Sequence, residues 1–178
     1  GWDAPRIIFC RRINLDIESN FNTTTGRITA NVRLQADNPR KYSMATYKNS
    51  IHLHTSDLLG EFEWNNLGNY VEGYPMFVEV RCPGPKGYKN LRFYREYDNP
   101  FSPSGYSTEE LAMNFQWNKN IDVDFKQRLT NPLGPLGHTA SLGWFRVKPG
   151  IQRIGVKRSA TSYNGPMDVH FYTRHIWT

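Results

Sequence analysis

The stretch Arg27-Ile28-Thr29-Ala30-Asn31-Val32-Arg33-Leu34-Gln35-Ala36 alternates apolar and polar residues without a break. Ile28, Ala30, Val32, Leu34 and Ala36 fall on one side; Thr29, Asn31, Arg33 and Gln35 fall on the other. That period of two belongs to a strand with one buried and one wet face, as antiparallel sheets have. Upstream, Arg6 to Glu18 keeps Ile7, Phe9, Ile13, Leu15 and Ile17 mostly in one phase, and the polar run Asn22-Thr23-Thr24-Thr25-Gly26 supplies the turn between the two.

The same pattern recurs downstream. Ser50 to Thr55, Met76 to Cys82, Asn90 to Tyr97, Ile121 to Leu129, Ser141 to Val147, Ile151 to Arg158 and Met167 to Trp177 all read as strands. Turn and loop formers separate them: Asn38-Pro39, Pro83-Gly84-Pro85, Asn99-Pro100, Pro149-Gly150 and Asn164-Gly165-Pro166. One helical signal stands out. Ser107-Thr108-Glu109-Glu110 has the form of a capping box and predicts a short helix through about Asn114. Eight or nine strands with one short helix predict an all-β chain: an antiparallel two-sheet sandwich, best an eight-stranded jelly roll with long loops, as a single domain over residues 1–178. A closed barrel is the alternative.

Composition agrees. A chain of 178 residues can bury a core without disulfides or metals. Five Trp, ten Tyr and ten Phe, with fourteen Gly and eleven Pro, exclude a coiled coil and a disordered chain. The longest apolar run is Ile7 to Cys10, so no membrane insertion is expected, and no signal peptide or targeting tail is read. Cys10 and Cys82 fit either a disulfide or two free thiols. The sequon Asn22-Thr23-Thr24 is too short a pattern to mark a secreted chain.

The net charge is +6, but its placement says more. Residues 1–124 carry 14 basic and 15 acidic groups, whereas residues 125–178 carry 8 basic groups and one acid, Asp168. Between Arg146 and Arg158 lie Arg146, Lys148, Arg153, Lys157 and Arg158 with no acid among them. Across a hairpin over Trp144 to Arg158, alternation would put Trp144, Arg146 and Lys148 on one face. Cations on a sheet face neutralise phosphates without reading sequence, and an exposed Trp offers a stacking plane for a base. The bland alternative is a solvated strand surface. Arg6, Arg11 and Arg12 form a second, weaker basic cluster. Nucleic acid, bound without sequence specificity, is the partner these residues predict.

Catalytic signals are weak. His52 and His54 leave a strand from the same face, the geometry of a two-histidine metal pair, but Glu61 and Glu63 lie too far along for the usual third ligand. Asp122 and Asp124 share a face as well and more simply face solvent. No nucleophile elbow or phosphate-binding glycine loop occurs, so no enzyme, cofactor or metal is expected.

Several segments in order carry a resemblance. Trp64, Tyr70 and Tyr74 lead into a strand that ends at Pro83; Phe93 to Asp98 ends before a Pro- and Ser-rich loop and the capping box; Tyr172-Thr173-Arg174-His175-Ile176-Trp177 closes the chain. Together they resemble the single jelly-roll coat proteins of small circovirus-like and nanovirus-like viruses, over about the last two thirds of the chain. The resemblance implies a capsid protein that self-assembles into an icosahedral shell, a virion location with assembly in the host cell, and no active site. Such coats usually begin with an arginine-rich arm, whereas this chain begins Gly1-Trp2-Asp3-Ala4-Pro5. A different reading comes from Ile28 to Lys41, which looks like the start of late-embryogenesis-type sandwich domains, where a strand ends in Asn-Pro and a basic residue. It implies a monomeric β-sandwich binding module.

Overall fold

The computed structural model describes residues 6–22, 27–36, 40–82, 87–117, 120–131, 143–159 and 165–178, and every regular element among them is a strand. In chain order these are β1 (Arg6–Ile7), β2 (Arg11–Asn22), β3 (Arg27–Gln35), β4 (Lys41–Ser43), β5 (Tyr47–Leu53), β6 (Leu59–Asn66), β7 (Tyr74–Pro75) and β8 (Phe77–Arg81). There follow β9 (Gly87–Asp98), β10 (Tyr106–Trp117), β11 (Ile121–Asp124), β12 (Leu129–Asn131), β13 (Arg146–Val147), β14 (Gly150–Arg158), β15 (Met167–Thr173) and β16 (Ile176–Trp177).

Two antiparallel sheets carry most of the chain. One has the order β10-β9-β14-β6 and the other β12-β11-β8-β15-β5. Eight strands account for both, apart from the short β12. Numbered one to eight along the chain (β5, β6, β8, β9, β10, β11, β14, β15), the first pairs with the eighth, the second with the seventh, the third with the sixth and the fourth with the fifth. Two further pairings complete the sheets, β15 with β8 and β14 with β9.

The two sheets bury their inner faces against each other, as a β-sandwich does. Val78 and Val80, Val123, Val169 and Phe171 come from the five-stranded sheet; Leu91, Phe93, Leu111, Met113, Ile154 and Val156 come from the four-stranded one. Aromatic rings join them: Phe171 meets Phe62 at 5.3 Å and Phe93 at 6.3 Å between ring centroids, both edge to face. Cys82 lies buried and Cys10 exposed, and neither is bonded to the other.

The capping-box helix does not form. Residues 106–117 make β10, paired with β9 row by row from Tyr106↔Asp98 to Trp117↔Gly87. Leu111 and Met113 sit two apart and both go into the core, so the strand period prevails over the local cap signal. Ser107 Oγ instead accepts a hydrogen bond from Asn99 Nδ2 at 2.7 Å, bracing the tight turn before the strand. Nor do residues 144–158 form a hairpin. β13 pairs with β7, and Gly150, with φ of 92°, starts β14, which runs between β6 and β9. Of the expected turns, Asn22 to Gly26, Asn38-Pro39 and Pro83 to Pro85 lie wholly or largely outside the described residues.

The chain's end is locked in by a buried histidine. His175 Nδ1 lies 2.5 Å from Asn66 Oδ1, while Asn66 Nδ2 donates to the carbonyls of Val147 and Lys148 at 3.1 and 2.9 Å. Because Asn66 presents its oxygen there, Nδ1 carries the proton and donates. Burial pushes the His175 pKa below the ordinary histidine value of 6.5, so the folded state holds the ring neutral.

Two outcomes are expected. Phe171→Ala should cost about 3–5 kcal/mol, read from urea unfolding, because it removes the ring that both central partners pack against. The depressed His175 pKa means that the unfolded chain takes up this proton first. Its contribution to stability is therefore full above pH 6.5 and falls as pH drops through the window between 6.5 and the lower folded value. Thermal melts across that window should lose part of their slope in His175→Gln.

Candidate nucleic-acid interface

The nine basic and aromatic residues singled out in the sequence do not gather into one patch. Arg6 lies on β1, its guanidinium 4.3 Å above the Trp177 ring. Arg11 and Arg12 lie on β2, opposite Gln35 and Leu34 of β3. The remaining six sit on or before β13 and β14, and the fold gives them three different fates.

Arg153 and Lys157 point outward from β14, as alternation requires. Sequence order shows no acid near them, but the neighbouring strands supply several. Arg153 pairs with Glu96 at 2.9 Å and Glu61 at 3.5 Å, and Lys157 with Glu110 at 3.6 Å. Arg92 meets the same Glu110 at 3.5 Å. Tyr94 lies across this surface, donates to Glu61 at 2.5 Å and carries Lys157 4.4 Å above its ring. Burial and that carboxylate together raise the Tyr94 pKa. Among the described residues, the outer face of the four-stranded sheet thus sets each of these cations against a carboxylate.

Arg158 turns inward. Its side chain is buried and donates to the carbonyls of Asp57, His54 and Gly165, the last two at 2.5 Å. It ties the segment after β5 to the start of β15, a structural task that leaves it no face for a ligand.

Trp144, Arg146 and Lys148 do come together. With Glu72, Glu109, Gly143 and Phe145 they line an open cleft of about 310 Å³ at one end of the sandwich. Phe125 anchors the segment, its ring 5.4 Å from Trp144 and 5.1 Å from Phe145. Gly143 is required there, since a methyl group at its position would overlap the Glu110 carbonyl. Arg146 reaches Glu72 at 3.4 Å, and Lys148 lies 5.5 Å above the Tyr97 ring. Tyr70 donates to Glu72 at 2.6 Å, and with Arg40 and Arg146 nearby this holds the Glu72 carboxyl below its ordinary range. The second acid, Glu109, is bound at 2.7 Å by Arg95, a fully buried arginine that faces into the sandwich and stacks on Tyr97 at 4.2 Å. Arg95 is the residue that sequence reading missed; a charged position in phase with Leu91 and Phe93 was the available signal.

The histidine and aspartate pairs lie on the outer face of the five-stranded sheet. His52 Nδ1 is 2.6 Å from Asp168, the His52 and His54 rings are 4.6 Å apart, and Ser50 Oγ bonds His170 at 2.8 Å. Asp122 pairs with Arg81 at 2.7 Å, and Asp124 accepts from the amides of Lys126 and Gln127 at 2.8 and 3.0 Å, which shapes the turn after β11. Among the described residues no group of three or more His, Cys, Asp or Glu side chains is arranged to hold a metal ion.

No family model matches the chain, and no curated protein matches it. Among solved structures it is similar to the SPP1 Dit protein (gp 19.1), described as a paradigm of the hub adsorption apparatus in phages infecting Gram-positive bacteria. The TM-score is 0.50 with 14% identity over 95% of this chain, and the chain spans 60% of that protein's length. At such identity the likeness concerns the fold alone.

The different fates of neighbouring cations predict different costs. Arg158→Ala should lose about 3 kcal/mol or more, since buried carbonyls are left without their donor. Arg153→Ala, on an exposed pair, should lose no more than about 1 kcal/mol. Chemical denaturation of the two variants side by side checks the contrast.

Proposed function

We propose that this chain is a virion structural protein: a jelly-roll capsid subunit that assembles into a closed shell and touches packaged nucleic acid. The observation that carries this reading is the strand pairing. Pairing of the first strand with the eighth, second with seventh, third with sixth and fourth with fifth supports the winding of an eight-stranded jelly roll, a doubled ribbon rolled up on itself. Viral capsid domains use that winding, as do lectins and cupins, so the pairing supports the fold first and the function through it. The aromatic and proline pattern of the chain adds the resemblance to small-virus coats.

Nucleic acid would meet the cleft rather than the sheet face. Trp144 lines the cleft beside Arg146 and Lys148, a combination suited to phosphate neutralisation together with base stacking. Arg153 and Lys157 have carboxylate partners, and so has Arg146 in Glu72; what favours the cleft is Lys148, which lies over the Tyr97 ring beside Trp144.

Electron microscopy and sedimentation of the purified chain test the assembly, with closed particles or large oligomers expected. A monomer at every salt and protein concentration would refute it. For the cleft, Arg146→Glu with Lys148→Glu should lower the nucleic acid retained per protein and flatten its salt dependence, whereas Arg153→Gln should leave both near the starting values. Equal loss in both variants would count against the cleft.

A further inference from the structure

A second cleft adjoins the first. Its volume is about 260 Å³, and Tyr74, Pro75, Phe77, Lys126, Tyr172 and Arg174 are among its lining residues. Two links join it to the cleft that holds Trp144, Arg146 and Lys148. Pro75 lies directly opposite Arg146 in the β7–β13 pair, and residues opposite each other in such a pair present their side chains on one face. Asp124 and Lys126, which flank Phe125, line the second cleft, while the Phe125 ring packs on Trp144 and Phe145 of the first. The Phe125 amide donates to the Met76 carbonyl at 3.1 Å and so fixes this segment against the end of β7.

The cations of the second cleft are the freer ones. Arg174 Nε donates to Thr46 Oγ1 at 3.2 Å and Nη1 to the Ser43 carbonyl at 3.5 Å. Among the described residues neither Arg174 nor Lys126 pairs with a carboxylate, whereas Arg146 in the first cleft meets Glu72. The one acid in the lining, Asp124, accepts from the amides of Lys126 and Gln127 at 2.8 and 3.0 Å. Glu79, beyond the Tyr172 hydroxyl, is engaged by that hydroxyl at 2.9 Å and by Arg81 at 3.0 Å. The rings of Phe77 and Tyr172 are half-buried, tilted and 6.1 Å apart, and Lys48 lies 5.5 Å above the second of them.

We infer that single-stranded nucleic acid runs through both clefts, over Pro75, with its phosphates neutralised at Lys148 on one side and at Lys126 and Arg174 on the other. Aromatic rings beside cations suit unpaired bases, because a base inside a duplex already stacks on its neighbours. Two small clefts that meet across one ribbon suit a thin chain carrying a charge at every repeat; a free anion would occupy only one of them. This inference rests on the nucleic-acid reading above and adds to it the second cleft, the path between the two and the preference for unpaired strands.

Fluorescence anisotropy of the full chain with a labelled oligothymidylate of about 12 nucleotides tests it. One strand should bind per chain. Lys126→Gln, which removes an exposed side chain without a partner, should lower the slope of log affinity against log salt by about 0.7, and Lys126→Gln with Arg174→Gln by about 1.4. The double variant should also bind about tenfold more weakly at low salt, while a blunt duplex of the same length should bind parent and variant alike. An unchanged slope in Lys126→Gln, two strands per chain, or equal binding of the duplex or of polyglutamate overturns the single-strand path. If Arg146→Glu with Lys148→Glu still loses retention in those cases, the reading above stands without it. A parent chain that binds no nucleic acid overturns both.

Discussion

The edge-to-face contact of Phe171 with Phe62 and Phe93 is the point at which the two sheets become one structure. Phe171 lies on β15, which runs between β8 and β5; Phe93 lies on β9, next to β14. The strands that complete the inner rows of both sheets, β14 and β15, are thus the last long ones in the chain. Until they return, β5, β6, β8 and β9 have neighbours missing and the inner faces stay wet. The core therefore depends on contacts far apart in sequence, for which loop-closure entropy is spent before burial compensates it. The C-terminal lock of His175 on Asn66 has a clear place in that logic, because it fixes the returning end against β6 and the start of β14 at once.

Pairing strands far apart in sequence also reorders the chain's charge. In sequence the last third is strongly cationic above a neutral remainder. In space β14 lies between β6 and β9, and both carry glutamates on the outward phase, so Arg153 faces Glu63 on one side and Glu96 on the other. A charge surplus counted along the chain becomes a cross-strand ion lattice on the sheet. Each exposed pair is worth little, but mixed signs keep the sheet face free of self-repulsion.

The period-two signal made most of the sandwich legible, and its failures have physical causes. β6 went unread because Gly60-Glu61-Phe62-Glu63-Trp64 offers only two apolar residues, although both reach or border the core. β10 was masked by a local cap signal whose donors are satisfied differently in the fold. The apparent hairpin of residues 144–158 lacked any local hint that β13 would find β7, seventy residues earlier. The alternation of residues 27–36 does mark a strand, but where its side chains are described, at residues 31–35, both faces are exposed. The candidate cleft was half legible: Trp144, Arg146 and Lys148 were visible as a group, while Glu72 and Glu109 come from distant segments.

Arg95 shows how the interior sets the character of that cleft. Its side chain is fully buried, with Nε unpartnered, and desolvation lowers its pKa while Glu109 and the Tyr97 ring favour the cation. Such a charge is costly to bury and is a weak source of stability. Its effect is electrostatic at the surface. Without Arg95 the cleft would hold two carboxylates against two cations, an arrangement neutral toward a polyanion. With Glu109 already bound from behind, Arg146 and Lys148 outweigh the one remaining acid, Glu72, which Tyr70 and Arg40 also engage. The interior cation thus takes up one of the two carboxylates that line the cleft, leaving Glu72 as the acid facing Arg146.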